Sequence, residues 1–203
     1  TYITPAPFVQ GVWVLIFTRI LVVSLCTRYW FGASDDLILH GFRSNFVLAS
    51  LLTAVWAQLW DSDHTILAYV ALTVAVAFVT MIYHNITTHF PAKTWPQTLF
   101  VHTPISVSHA WLLFVMFLNS LAMTSDYDPK RPDAFHQLLA FFVLAQLTFT
   151  AVAYTEYKSA IGDVPCAFTI AWALFGVTAN QKSDFISNTA AVFGIIVVCY
   201  AIR

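Results

Sequence analysis

"VHTPISVSHAWLLFVMFLNSL", residues 101–121, is apolar enough to cross a bilayer, yet it holds two histidines, a proline, three serines, a tryptophan and an asparagine. At about 100° per residue these residues group instead of scattering. Pro104, Ser108, Trp111, Val115 and Asn119 form one stripe. His102, His109 and Ser120 form another roughly a third of a turn away, with Ser106 beside it. Polar side chains grouped in this way should face into a bundle, where other helices or water satisfy them. Pro104 removes a backbone donor and crowds the turn before it, so a kink is expected near Phe100–Pro104. Neighbouring hydroxyls can bond the carbonyl that the proline frees.

The rest of the chain points to the same solvent. Of its 203 residues 59% are hydrophobic and only 9% charged, with a mean hydropathy of +0.74. A soluble domain carries about 25% charged residues, so the bilayer is the medium that absorbs this apolar surface. A net charge of −1 offers no basic face to nucleic acid, which is excluded as a partner, or to anionic headgroups. No stretch reads as a signal peptide. Cys26, Cys166 and Cys199 lie far apart in or beside apolar runs and read as small packing residues.

A spanning helix needs about 20 apolar residues, within a range of about 17–25. Seven segments qualify: Phe8–Cys26, Asn45–Trp60, Thr65–His84, Thr98–Met123, Ala134–Tyr154, Val164–Val177 and Phe185–Ile202. The sixth is short enough to be re-entrant, although Asp163 followed by Pro165 reads as a helix start. Asp61 and Asp63 are expected to cap the third segment. The expected fold is therefore all-α, a polytopic transmembrane bundle of seven helices, or six if the sixth fails to span. No linker or repeat divides it, so residues 1–203 read as one domain. Lys130, Arg131 and Lys182 fall on the amino-terminal side, against Arg28, Arg43, Lys93, Lys158 and Arg203 opposite. That bias places the amino terminus outside and the carboxyl terminus inside. Small residues at helical spacing (Ala71 and Ala75, Ala167 and Ala171, Ala190 and Gly194) mark close helix approaches. Trp30, Trp60 and Trp95 sit at segment ends, whereas Trp13, Trp56, Trp111 and Trp172 lie inside them.

Several motifs carry a family resemblance. "HTPISVSHAWLLFVMFLN" (102–119) resembles the last helix of the tryptophan-rich sensory protein and translocator protein family (TspO/MBR), through Ala110, Trp111, Phe114, Phe117, Leu118 and Asn119. "TPAPFVQGVW" (4–13) is similar to that family's proline-rich approach to a helix. "LTAVW" (52–56) is similar to its Leu-Asn-Ala-Leu-Trp, with Thr53 in place of Asn. "FTIAWALFGV" (168–177) looks like a late helix of its longer, seven-helix relatives. The resemblance implies a four-helix core over residues 4–123, additional helices over 134–203, and a cavity involving Trp56, Trp111 and Asn119. It also implies porphyrin, haem or sterol as ligand chemistry, and a homodimer.

Other chemistry is thinner. Arg19 is the one cation deep in a predicted helix, where a charge costs about 2.5–3.5 kcal/mol. It should find carbonyls, water or an acidic group on a ligand. His84 and His89 have no helical ligand spacing, and His102 and His109 stand about 10 Å apart along the axis. Hydrogen-bonded core histidines are the simpler reading. The sequon Asn85-Ile86-Thr87 is read as chance. No nucleophile elbow, phosphate loop or deep carboxylate pair is present, and the last segment lacks a lysine for retinal. The expectation is a non-enzymatic membrane protein that binds, senses or moves a small hydrophobic ligand. Trp56, Trp111 and Val115 would wall its site, Asn119, Ser108 and His109 would orient the ligand, and Arg19 would meet an acid group. The alternative is a structural or accessory subunit of a larger membrane assembly, surrounded by lipid.

Overall fold

Among the described residues, apolar runs long enough to span become helices. The computed structural model describes residues 3, 5–14, 16, 36–123, 133–157 and 162–203. Among them a 3-10 turn, Pro7–Gln10, leads into helical residues 11–14, and a π-helical stretch, Leu37–Phe42, precedes the longer elements. These are α1 (Asn45–Asp61), α2 (Thr65–His89), α3 (Trp95–Ala122), α4 (Ala134–Tyr157), α5 (Val164–Asn180) and α6 (Asp184–Ala201). The second to seventh expected segments thus all form helices. Most of the first lies outside the described residues. Helices α2, α3, α4 and α6 are long and apolar enough to cross a membrane. Helices α1 and α5 have 17 residues each, at the lower edge of the spanning range. Asp163 caps α5 by accepting from Cys166 N at 3.3 Å, with Pro165 in the first turn where no donor is needed.

The α-carbon packing divides the chain into two compact units, residues 12–112 and residues 1–11 with 113–203. In the first, α2 buries one stripe: Ala68, Ala71, Leu72, Ala75, Val76 and Val79, continuing through Ile82, Tyr83 and Ile86. Leu67, Val70, Val74 and Met81 on its other side remain exposed, as suits a lipid-facing surface. Helix α1 packs against α2. The turn between them corrects the expectation that Asp61 or Asp63 caps α2. The N-cap is His64, without a side-chain cap. Asp63 instead takes a left-handed backbone (φ 60°), a conformation that Asp tolerates better than most residues. Helix α3 widens into a π-helical turn over Thr98–His102, just ahead of Pro104. Thr103 N and Oγ1 (2.8 Å) both reach Thr98 O, so the missing proline donor falls where the ladder is already interrupted. The sequon lies within α2, where the Thr87 hydroxyl donates to Tyr83 O at 2.6 Å.

In the second unit the expected small-residue steps become contacts. Ala167, Ala171, Ala190 and Gly194 are all buried on α5 and α6. A Cβ on Gly194 would stand 3.0 Å from the Phe175 ring. Across the α5–α6 turn, Ser187 Oγ donates to Thr178 O at 3.0 Å. The 3-10 turn docks on α5: Ala6 N–H donates to Gly176 O at 2.8 Å, and a Cβ on Gly176 would collide with Val9 Cγ2. Gly162, at φ 72°, reverses the chain between α4 and α5 so tightly that a Cβ would meet the Thr155 backbone.

Candidate functional site

The 12–112 unit carries a half-open cavity of about 440 Å³, within the range of small-molecule sites. Small side chains on α1 create it: Ala49, Ser50, Thr53, Ala54 and Ala57 recur along the helix where larger residues would fill the space. Trp56 stands on the same wall, and Trp13 packs against it with ring centroids 6.2 Å apart and planes 27° from parallel. Val79 and Ile82 of α2, and Ile105, Ser108 and Leu112 of α3, close the other sides. The surface is apolar apart from three hydroxyls and the indoles.

Those hydroxyls are turned back on their own helices. Ser50 Oγ donates to Phe46 O (2.8 Å), Thr53 Oγ1 to Ala49 O (2.8 Å) and Ser108 Oγ to Pro104 O (2.7 Å). The Trp56 Nε1–H is buried and has no hydrogen-bond partner. An unmatched buried donor costs about 1–3 kcal/mol.

Two of the expected ligand-contacting residues, Trp56 and Ser108, reach this wall. Trp111 is fully buried and meets Trp13 edge-on, with centroids 6.1 Å apart, so it backs the wall without lining it. His109 turns to α2, where Nε2 pairs with Thr80 Oγ1 at 2.8 Å and the ring stacks on Tyr83 at 4.8 Å. It ties two helices together. Val115 and Asn119 belong to the other unit and form no part of the wall. Asn119 is buried there, with no partner for Nδ2. Arg19 lies outside the described residues. Trp13, Ser50 and Thr53 were not among the expected site residues. The internal position of Trp13 and the small-residue run 49–57 were the available signals.

A family model described as TSPO-like protein matches residues 1–203. The chain belongs to the TSPO-like family. No curated protein and no solved structure matches it. Family membership and the long apolar helices together make this TSPO-like chain a helical membrane protein.

The described wall of this cavity offers no ligand to haem iron. Haem iron takes His, Cys, Met or Tyr, and none of these lines it. Among the described residues no Lys or Arg lines it either. Among the described residues no group of three or more His, Cys, Asp or Glu is placed to hold a metal ion.

Proposed function

We propose that this TSPO-like membrane protein is a non-enzymatic binder, sensor or carrier of a small hydrophobic ligand, held in the cavity of the 12–112 unit. The observation that carries this reading is a space of about 440 Å³ walled by two packed indoles and a run of small residues on α1. A half-open apolar recess of this size within one unit suits a small hydrophobic occupant. Trp13 and Trp56 supply flat apolar surface, and Ser108 supplies an orienting oxygen. Trp111 and His109 contribute by holding Trp13 and the α2–α3 pair in place. An amino terminus outside and a carboxyl terminus inside belong to the same proposal, on the charge bias of the connectors, as does a homodimeric assembly.

The test is gentle extraction from the native membrane, followed by mass spectrometry of co-purifying small molecules and proteins. A stoichiometric small molecule should accompany the wild type and be lost from Ala49→Phe, which fills the cavity, while helical content is retained. A protein that retains no small molecule but keeps a constant protein partner would be an assembly subunit instead.

A further inference from the structure

The chain's net charge of −1 conceals a separation of charge within the 12–112 unit. Helices α1 and α2 pack as a hairpin across the turn 62–64, so the start of α1 and the end of α2 share one end of the unit. The π-helical stretch joins them there: a Cβ on Gly41 would stand 3.5 Å from the Phe90 ring and 3.6 Å from Ile86 Cγ2. That end gathers His40, Arg43, His84, His89 and Lys93, all exposed. The His84 and His89 rings meet edge-on, with centroids 6.4 Å apart. Among the described residues Asp36 is the one acid there, and it faces His40 at 3.4 Å. Arg43 and Lys93 form no ion pair with any described residue. In sequence the connector ahead of Asp36 adds Arg28 and Asp35, whose charges cancel. The opposite end carries Asp61 and Asp63 in its turn, with no Lys or Arg between Asp61 and His64.

Helix length sets the depth of this cluster. Helix α2 has 25 residues, about 37 Å at 1.5 Å per residue, against a hydrocarbon core of about 30 Å. The acidic turn before it and the histidine-bearing turns at its end therefore both reach headgroup zones. Beside the histidines, Gln97 Oε1 accepts from Lys93 N at 2.9 Å and fixes that residue just ahead of α3. Trp95 follows, 72% exposed, and Leu99 one turn on is exposed as well. An indole next to a lysine at this depth suits an interfacial anchor, with the ring near the glycerol groups and the ammonium among the phosphates. Going beyond the cavity reading and independent of it, we infer that this end of the unit binds anionic phospholipid headgroups through Arg43 and Lys93. A zwitterionic headgroup brings its own cation and gains less from the same two residues. Imidazoles take protons between about pH 5 and 8. Each proton on His40, His84 or His89 adds positive charge beside Arg43, Lys93 and Asp36, so the contact strengthens as pH falls.

The test uses the full chain in phosphatidylcholine nanodiscs with trace photoreactive phosphatidylglycerol or phosphatidylcholine, each carrying a diazirine near the glycerol end of one acyl chain. At low salt and about pH 7.5, where imidazoles are mostly neutral, phosphatidylglycerol should label the peptide containing Lys93 and Trp95 more than phosphatidylcholine does. The expected ratio is about fivefold, the scale of one cation at a charged surface. The peptide containing Asp61 and Asp63 should show no such preference. Combining Arg43→Gln with Lys93→Gln should abolish the preference and leave phosphatidylcholine labelling unchanged, which reports that the variant still folds. Arg43→Lys should keep it. At about pH 5.5 the wild-type preference should rise severalfold, and combining His40→Gln, His84→Gln and His89→Gln should remove that rise. Equal labelling by the two lipids at both pH values, or a preference that survives loss of both cations, overturns the proposal. A preference that acid leaves unmoved overturns the part given to the histidines. Either result leaves the cavity reading standing, because no probe in this experiment reports on the cavity.

Discussion

At the scale of single residues, burial and pairing separate side chains that hold the protein together from those that face its cavity. His109 is of the first kind. With its neighbour's hydroxyl 2.8 Å away, it joins α3 to α2 through Thr80. Thr80→Val keeps the shape and deletes the partner, so it should cost roughly 1 kcal/mol, the scale of interhelical hydrogen bonds in bilayers. Thr80→Ser should restore most of the loss, read as the melting temperature in detergent. Gly176 is a steric case. An added methyl group meets Val9, so Gly176→Ala should destabilise by about 1–3 kcal/mol, as overpacking does. Gly11→Ala, with open space around it, should be close to neutral by the same measurement. Equal effects at the two glycines would contradict the docking of the amino-terminal turn on α5.

At the scale of elements, much of the architecture could be read from the sequence because span length and small-residue spacing are local properties. Helices α2, α4 and α6 follow from uninterrupted apolar runs, and α5 was announced by Asp163 and Pro165. What stayed hidden depends on contacts between distant segments. Trp13 and Trp56 are 43 positions apart (56 − 13), and no periodicity reveals that they face one another. Ser108 and His109 were both expected to orient a ligand, yet one reaches the cavity and the other reaches Thr80. Asp63 was misread because its side chain suggested a cap, whereas the turn uses its backbone. The start of α4 gives a prediction at this scale. Asp133 accepts from the His136 backbone N–H at 2.9 Å and contacts the His136 ring. The backbone bond first, then the ring, lowers its carboxyl below the usual range. A depressed folded value stabilises above the ordinary Asp pKa of about 3.9, and the contribution is lost as pH falls through the lowered value. Amide exchange at His136 should therefore stay slow at about pH 5 and quicken only below the usual Asp titration. In Asp133→Ala it should be fast throughout. Fraying of the wild type with a midpoint above the ordinary Asp value would refute this account of the cap.

At the scale of the whole molecule, the chain is a TSPO-like membrane protein in which one unit carries the apolar cavity proposed above as its ligand site. The most direct measurement places photo-leucine at Leu112, on the cavity wall, and irradiates the protein in its native membrane. A control variant carries it at Leu67, on the exposed side of α2. The account predicts one discrete small-molecule adduct on the Leu112 peptide and a spread of bulk phospholipids on the Leu67 peptide. The same phospholipid spread at both positions, or attachment of Leu112 to another protein chain, would contradict it.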